Sequence, residues 1–169
     1  MIATIGRKHL VSLLSVLALV ILMALPTHAA TVDVWGGKFH IQNTNTAKYL
    51  NLDGSGDAYK NRNVNVYSYT TDDDQNWFIE DRGNGVKVYT AKNGADTNGY
   101  TLNMNTITYN CNIYPDVSDN NGDSQVETVG TQDHFSINLL RDNDYQLAVA
   151  SQNNVMWGGT YTYYWKVVY

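Results

Sequence analysis

The stretch Asn63–Trp77, NVNVYSYTTDDDQNW, decides the fold because its pattern returns twice more along the chain. Its two valines alternate with Asn65 and Tyr67, which is the period of a half-buried strand with one apolar face and one face of amide and aromatic groups. A polar turn follows, and a Gln-x-Trp triplet at the end of the stretch opens another strand. The stretch therefore predicts a strand, a turn and a second strand.

The same pattern recurs at intervals of about 45 residues, which is typical of an internal structural repeat. The recurring segments are Val64–Tyr67, Cys111–Tyr114 and Val155–Trp157, and each follows an apolar segment that starts at Leu50, Leu102 or Leu147. Three equivalent repeats would place the three leucines at equivalent core positions.

Short strands separated by clusters of Gly, Asn, Asp and Thr occupy the chain from Ala30 onward, and no apolar stretch has a helical period long enough for a helix. Four strands per repeat and three repeats give twelve strands. A barrel with a hairpin cap would cover the strand edges that an all-β chain of this size must protect. The sequence predicts one all-β domain over residues 30–169.

Residues 1–29 have the pattern of a secretory signal peptide. Arg7 and Lys8 precede an uncharged apolar run over residues 10–25. This run is shorter than the ~20 residues of a membrane-spanning helix, which favours a cleaved signal over a retained membrane anchor. We expect cleavage near Ala29 and a secreted, extracellular domain without a membrane span.

Charge and residue types exclude several function classes. The formal net charge of −5 gives no basic patch for nucleic acid. His40 and His134 have no recognised catalytic or zinc spacing with other residues. The three carboxylates of residues 72–74 are adjacent in a turn and point apart, unlike the acid pair of a glycosidase. Val117 and Thr128 occupy the end positions of a possible calcium loop, which excludes an EF-hand. We expect no enzyme, cofactor or metal site.

Cys111 is the only cysteine and has no partner within the chain. It alternates with Ile113 on the apolar side of its strand, which favours a small buried hydrophobe. An intermolecular disulfide in an oxidising compartment remains the alternative.

The repeat resembles the ricin-type lectin domain, a β-trefoil in which each third carries a Gln-x-Trp signature. The resemblance covers residues 36–169 and is carried by Asn51-Leu52-Asp53-Gly54, by Tyr67 ten residues before Trp77, and by Gln75-Asn76-Trp77. In the second repeat Glu127 stands where the family has tryptophan, unless the register shifts and Val126 fills the core. A buried unpaired glutamate would be costly, so we expect the shift.

The resemblance implies shallow sugar sites in the first two repeats. A galactose-like ring needs a flat aromatic side chain beneath its C–H face and amides or carboxylates beside its hydroxyls. The predicted residues are Asn51, Tyr67, Asp74 and Gln75 in the first repeat and Asn103, Tyr114 and Gln125 in the second. Asparagine replaces the family's aspartate in both repeats, so charge-assisted hydrogen bonds are lost there.

The third repeat departs further from the family pattern. Ala148 and Tyr163 stand in the places of Asn51 and Gln75, so we expect no sugar site there, and we expect Trp157 to pack in the interior. Two alternatives stay open elsewhere. Gln75 either binds ligand or braces its turn, as it also does in the family, and the site tyrosines are either ligand platforms or ordinary cross-strand aromatics.

The implied function is that of a secreted carbohydrate-binding module. Its partners would be glycans or glycoconjugates, with the chain acting alone or beside a toxin or glycan-degrading subunit. The alternative is a trefoil used for protein contact, such as a toxin accessory subunit or a protease inhibitor, with vestigial sugar sites. Binding to immobilised sugars separates the two classes.

Overall fold

The computed structural model describes residues 37–83, 85–92, 99–117, 122–159 and 163–169. The predicted signal peptide and its cleavage near Ala29 lie outside these residues. Within the described ranges the regular structure consists of twelve strands and two 3₁₀ helices of three residues each. None of the helices in these ranges is long and apolar enough to cross a membrane.

The strands fall into three groups of four, one group per repeat. The first repeat contains β1 His40–Asn43, β2 Tyr49–Leu52, β3 Val64–Tyr67 and β4 Trp77–Asp81. The second contains β5 Val86–Thr90, β6 Tyr100–Met104, β7 Cys111–Pro115 and β8 Val126–Thr131. The third contains β9 His134–Leu139, β10 Gln146–Val149, β11 Val155–Gly158 and β12 Trp165–Val168. The 3₁₀ helices are Asp73–Gln75 and Ser151–Asn153. The prediction of an all-β chain with twelve short strands is confirmed.

Six of these strands form a closed barrel. β1 pairs with β12, β4 with β5 and β8 with β9 along their lengths, and shorter contacts join β12 to β9 and β5 to β8. Phe39 and Trp77 exchange two backbone hydrogen bonds of 3.0 and 2.9 Å, which link the start of β1 to β4. Closure pairs the barrel strands on both sides, so their edges are protected.

The remaining six strands form three antiparallel hairpins, β2–β3, β6–β7 and β10–β11. Leu50, Leu102 and Leu147 occupy the same register position in the three hairpins, and each is fully buried. The predicted equivalence of the three leucines is thereby confirmed, and the chain is a β-trefoil.

Three asparagines, one from each repeat, connect the hairpins to one another. Asn110 donates to Asn63 at 2.7 Å, Asn63 donates to Asn154 at 3.2 Å, and Asn154 donates to Asn110 at 2.7 Å. Each side-chain amide thus donates once and accepts once in a closed ring. The ring fixes the three hairpins relative to each other, and with them the side chains on their outer faces.

The core tryptophans establish the alignment of the repeats. Trp77 and Trp165 open β4 and β12, and their indole N–H groups donate to the carbonyls of Leu50 at 3.0 Å and Leu147 at 3.1 Å. The second repeat has Val126 at this position, fully buried and paired with Leu139. Glu127, next in the chain, is only partly buried. The expected register shift is confirmed, because the apolar residue enters the core and the carboxylate stays near water.

Cys111 and Trp157 are both interior residues. Cys111 is fully buried on β7, and this burial raises the pKa of its thiol. The alternative of an intermolecular disulfide is wrong for this fold, since such a bond needs an accessible sulfur. Trp157 is buried as expected, and its indole N–H donates to the Asn103 carbonyl at 3.2 Å.

Candidate functional site

A pocket of about 190 Å³ opens on the outer face of the β2–β3 hairpin. We call it the first pocket. Because side chains alternate along a strand, the residues between the buried leucines and valines face outward here. The first pocket is lined by Asn51, Asp53, Gly54, Asn65, Tyr67, Thr70, Asp72 and Asp74. It therefore brings together three of the four residues predicted in the first repeat.

A chain of amide hydrogen bonds fixes Asn51 at the base of the first pocket. Its Nδ2 donates to the Leu52 carbonyl at 2.7 Å and to Asn65 Oδ1 at 2.9 Å, and Asn65 Nδ2 donates to Asp53 Oδ1 at 2.9 Å. A backbone carbonyl can only accept, so these contacts define which end of the Asn51 amide is nitrogen. Both N–H groups of Asn51 are engaged, which leaves its oxygen to accept from a ligand hydroxyl.

Tyr67 supplies the aromatic surface of the first pocket. It lies opposite Tyr49 on β2 and is 55 % exposed. A half-exposed ring has a face on which the C–H groups of a ligand can pack. The alternative of an ordinary cross-strand aromatic explains its position on the strand but not its place in the pocket.

Asp74 brings a carboxylate to the pocket that two cations hold in place. Its Oδ1 lies 3.0 Å from Arg62 Nη2 and 3.2 Å from Lys92 Nζ. Nearby, the buried hydroxyl oxygen of Thr70 has no hydrogen-bond partner within the described part of the chain. Such a group is uncommon in a folded protein, and here it belongs to a residue that lines the pocket.

Gln75 lies behind the pocket rather than in it. Its side chain is fully buried, its Nε2 donates to the Ser68 carbonyl at 2.8 Å, and its Oε1 accepts from the Thr70 amide at 2.9 Å. These two bonds cross the turn between β3 and β4. The structure therefore favours the turn-bracing alternative over direct ligand contact.

Replacing Gln75 with alanine is expected to lower the free energy of unfolding by about 1–3 kcal/mol, because the partly buried Thr70 amide and Ser68 carbonyl lose their partner. Gln42→Ala is the matched control, and it should change stability by less than about 0.5 kcal/mol because its hydrogen bond to the Ala47 carbonyl is exposed to solvent. Urea denaturation of both variants measures the difference. Equal losses would show that Gln75 does not brace its turn.

The second pocket, about 240 Å³ in volume, lies on the equivalent face of the β6–β7 hairpin. It is lined by Asn61, Asn103, Met104, Asn105, Thr106, Ile107, Asn112, Tyr114 and Asp123. Two predicted residues, Asn103 and Tyr114, lie here. Gln125 is not among the lining residues.

The register explains the position of Gln125. Because Val126 takes the place of Trp77, the residues two and three positions earlier, Ser124 and Asp123, correspond to Gln75 and Asp74. The alignment of Gln125 with Gln75 was therefore wrong. Asp123 pairs with Arg141 as Asp74 pairs with Lys92. The two cations occupy equivalent positions. Arg141 comes two residues after Leu139, which pairs with Val126, and Lys92 comes two residues after Thr90, which pairs with Trp77.

The polar groups of the second pocket are more fully engaged with one another. Asn103 donates to Asn112 Oδ1 at 2.9 Å and accepts from the Ser124 hydroxyl at 3.0 Å. The ammonium of Lys60 lies 4.7 Å from the centre of the Tyr114 ring. Burial raises the pKa of Asp123, although the charge and hydrogen bond of Arg141 oppose that rise. A ligand here must compete with these contacts, so we expect weaker binding than in the first pocket.

The third repeat has none of the corresponding groups on its hairpin. In the β10–β11 register, Ala148, Met156 and Gly158 occupy the positions of Asn51, Asn65 and Tyr67. These side chains provide neither amide hydrogen bonds nor an aromatic surface. The prediction that the third repeat lacks a sugar site stays a prediction, and this substitution pattern is its physical reason.

Several pocket residues were missed by the sequence argument. In the first pocket they include Asp53, Asn65 and Asp72, and in the second Asn112 and Asp123. Asn65 and Asn112 could have been found from strand alternation, because each shares a face with its neighbouring site tyrosine. Within the described residues no group of three or more His, Cys, Asp or Glu is placed to hold a metal ion.

Part of this sequence matches a known protein family. Residues 30–105 match the family described as "Ricin-type beta-trefoil lectin domain-like". No curated protein sequence matches the chain.

Solved structures of low sequence identity share the fold. The Rhizoctonia solani agglutinin is 18% identical with a TM-score of 0.62, over 82% of this chain and 99% of that one. The designed three-fold symmetric protein ThreeFoil is 18% identical with a TM-score of 0.64, over 79% and 99%. A mosquitocidal holotoxin is 13% identical with a TM-score of 0.66, over 80% of this chain, which spans only 17% of the holotoxin chain. The protein is thus a β-trefoil that matches the ricin-type lectin-like family over residues 30–105.

Proposed function

We propose that this chain is a carbohydrate-binding lectin module that recognises galactose-like or related sugars at shallow sites in its first two repeats. The observation that supports the proposal most is the first pocket, where a half-exposed tyrosine lies beside several fixed oxygen acceptors. A sugar presents an apolar face and a set of hydroxyl donors, and the two kinds of surface in the pocket match those two features.

The proposed binding mode assigns a role to each side chain. The C–H face of the sugar packs on Tyr67, and its hydroxyls donate to the Asn51 oxygen and to the carboxylate of Asp74. Asp53 and Asp72 supply further acceptors at the rim. In the second pocket Tyr114, Asn103 and Asp123 take the corresponding roles. Small open sites of this kind bind a single sugar at about millimolar Kd, or about −4 kcal/mol.

The module acts outside the cell in this proposal, after cleavage of the signal peptide near Ala29. Its partners are glycans or glycoconjugates, and it works alone or beside a toxin or glycan-degrading subunit, without catalysis of its own. The occurrence of the fold in an agglutinin and in a holotoxin is consistent with both arrangements.

The test combines a glycan array on residues 30–169 with calorimetry on two tyrosine variants. Tyr67→Ala should weaken binding at the first site at least about tenfold, a loss of about 1.4 kcal/mol, because the ring beneath the sugar is removed. Tyr69→Ala is the matched control, since Tyr69 is as exposed as Tyr67 at 57 % but does not line the pocket. We expect its affinity within about twofold of the unmodified chain.

Two outcomes would contradict the proposal. Absence of saturable binding to every sugar on the array would favour the protein-contact alternative. Equal losses of sugar affinity in Tyr67→Ala and Tyr69→Ala would show that the sugar does not bind specifically on the Tyr67 ring.

A further inference from the structure

Arg62 is the most heavily bonded side chain next to the two pockets, and it was not among the predicted site residues. It is 1 % exposed, although arginine is rarely buried unless paired. Its guanidinium donates to the carbonyls of Leu52 at 3.5 Å, Asp53 at 2.9 Å, Gly54 at 2.9 Å, Gly56 at 2.9 Å and Asp57 at 3.2 Å. The five N–H groups of an arginine fork are thus matched by five carbonyls, one at the end of β2 and four in the loop that follows.

These contacts shape the rim of the first pocket. The loop after β2 has no regular structure, and Gly54 and Gly56 have φ values of 79° and 94°, which side-chain-bearing residues rarely adopt. Within the described part of the chain no strand amide donates to the carbonyls of residues 53, 54, 56 and 57, so Arg62 takes that role. Asp53 and Gly54 line the first pocket, and Arg62 also contacts the carboxylate of Asp74.

The backbone around Arg62 also contacts the second pocket. The Ile113 amide donates to the Arg62 carbonyl at 3.0 Å, and the Asn61 amide donates to the Ile113 carbonyl at 2.8 Å. Asn61 lines the second pocket, and its Oδ1 accepts from Asn112 at 3.4 Å. Lys60, one residue earlier, covers the Tyr114 ring.

The segment Asp53–Arg62, which we call the shared segment, therefore contributes to both pockets. We propose that Arg62 is a positioning residue for both sites and that the shared segment makes them one structural unit. The inference rests on the proposed sugar-binding function. It adds that the two sites are coupled. Arg62 fixes the loop conformation at the first site, so a change in that loop alters the position of Asn61 at the second site.

The loop whose carbonyls are bound by an arginine belongs to the first repeat. The corresponding hairpin loops, residues 105–110 and 150–154, are shorter, and Tyr109 and Asn153 stand before the ring asparagines where Arg62 stands before Asn63. Neither residue can present five donors to a loop. The coupling through Arg62 is thus expected between the first two repeats.

The principal test is Arg62→Lys in two single-site backgrounds, Tyr114→Ala for the first site and Tyr67→Ala for the second. Lysine keeps the positive charge but has three donors on one nitrogen in place of a planar fork of five, so at least two of the carbonyls lose their donor. Calorimetry with the sugar selected on the array should show affinity reduced at least about tenfold at both sites. Lys92→Gln is the control. Within the described part of the chain the Lys92 ammonium pairs with Asp74 and with no residue of the second pocket, so this variant should weaken the first site alone.

A purely structural role for Arg62 predicts a different pattern. It would lower the free energy of unfolding but leave the affinity of the folded protein unchanged at both sites. Calorimetry is therefore done well below the unfolding temperature, on samples whose NMR spectra show the native fold. Unchanged affinity at either site would overturn the inference.

A second experiment needs no change at Arg62, in case that variant does not fold. In the Tyr114→Ala background, sugar bound at the first site should slow hydrogen exchange at the Asn61 and Ile113 amides, which lie on the far side of the shared segment. The Val167 amide, bonded to the Gln132 carbonyl at 2.8 Å on barrel strand β12, is the control, because neither residue lines the first or the second pocket. No slowing at Asn61 and Ile113 would overturn the coupling.

The outcomes separate this inference from the proposed function. If the unmodified chain binds no sugar, both are overturned. If it binds sugar and Arg62→Lys binds equally well at either site, only the inference about Arg62 is overturned.

Discussion

Trp77→Ala is expected to lower the free energy of unfolding by about 3–5 kcal/mol, the usual cost of emptying a large aromatic site in a core. Trp77 is fully buried, its indole donates to the Leu50 carbonyl, and its backbone joins β4 to Phe39 where the barrel closes. The substitution leaves a cavity and an unpaired carbonyl together. Chemical denaturation of residues 30–169 measures the loss.

Two matched variants test whether burial of the ring causes that loss of stability. Trp165→Ala should cost about as much, because Trp165 is buried at the equivalent position and donates to the Leu147 carbonyl. Tyr67→Ala should cost less than about 1 kcal/mol, because its ring is half exposed. A loss at Tyr67 as large as that at Trp77 would show that this tyrosine belongs to the core and would remove the platform of the first site.

The double variant Tyr67→Ala/Tyr114→Ala is expected to abolish binding to a dense glycan surface. Two weak sites on one rigid body gain a factor of ~10²–10⁴ when both can engage the same surface. Each single variant should lose most of that gain while the remaining site still binds a free monosaccharide. Surface plasmon resonance on immobilised glycan, compared with calorimetry on the monosaccharide, separates the two effects.

The control for the double variant is Tyr69→Ala/Tyr169→Ala. These tyrosines are at least as exposed as Tyr67, lie outside the shared segment and line neither pocket, so glycan binding should be retained. If Tyr67→Ala/Tyr114→Ala still binds the surface, the sugar sites lie elsewhere on the trefoil, and the assignment of the first two repeats is mistaken.

The fold followed from patterns that are local in sequence. Strand alternation identified the buried faces, and the recurrence of Leu50, Leu102 and Leu147 identified three equivalent hairpins. These signals depend on which residues avoid water and need no knowledge of loop conformation. The barrel closure at Phe39 and the asparagine ring between hairpins depend on residues far apart in sequence, so no local pattern contained them.

The site was predicted less completely because the turn between Tyr114 and Val126 is longer than the equivalent turn between Tyr67 and Trp77. Desolvation required Val126 in the core in place of Glu127, and the same one-residue shift moves Gln125 away from the Gln75 position. In the shifted register Asp123 and Ser124, and not Gln125, occupy the positions of Asp74 and Gln75.

The role of Arg62 depends on loop geometry that sequence alone does not specify. Its five acceptors are backbone carbonyls, four of them in an irregular loop, and every residue type offers a carbonyl. Only the folded path of the loop, with Gly54 and Gly56 at positive φ, turns those carbonyls toward one guanidinium. The sequence therefore identifies the arginine but not the backbone carbonyls that it binds.

The most direct test of the account is an NMR titration of residues 30–169 with galactose, or with the sugar that the array selects. Sugar binding at the two pockets predicts saturable shifts at Asn51 and Tyr67, weaker ones at Asn103 and Tyr114, and none at Ala148. Absence of saturable shifts, or shifts centred on the third repeat, would contradict the account.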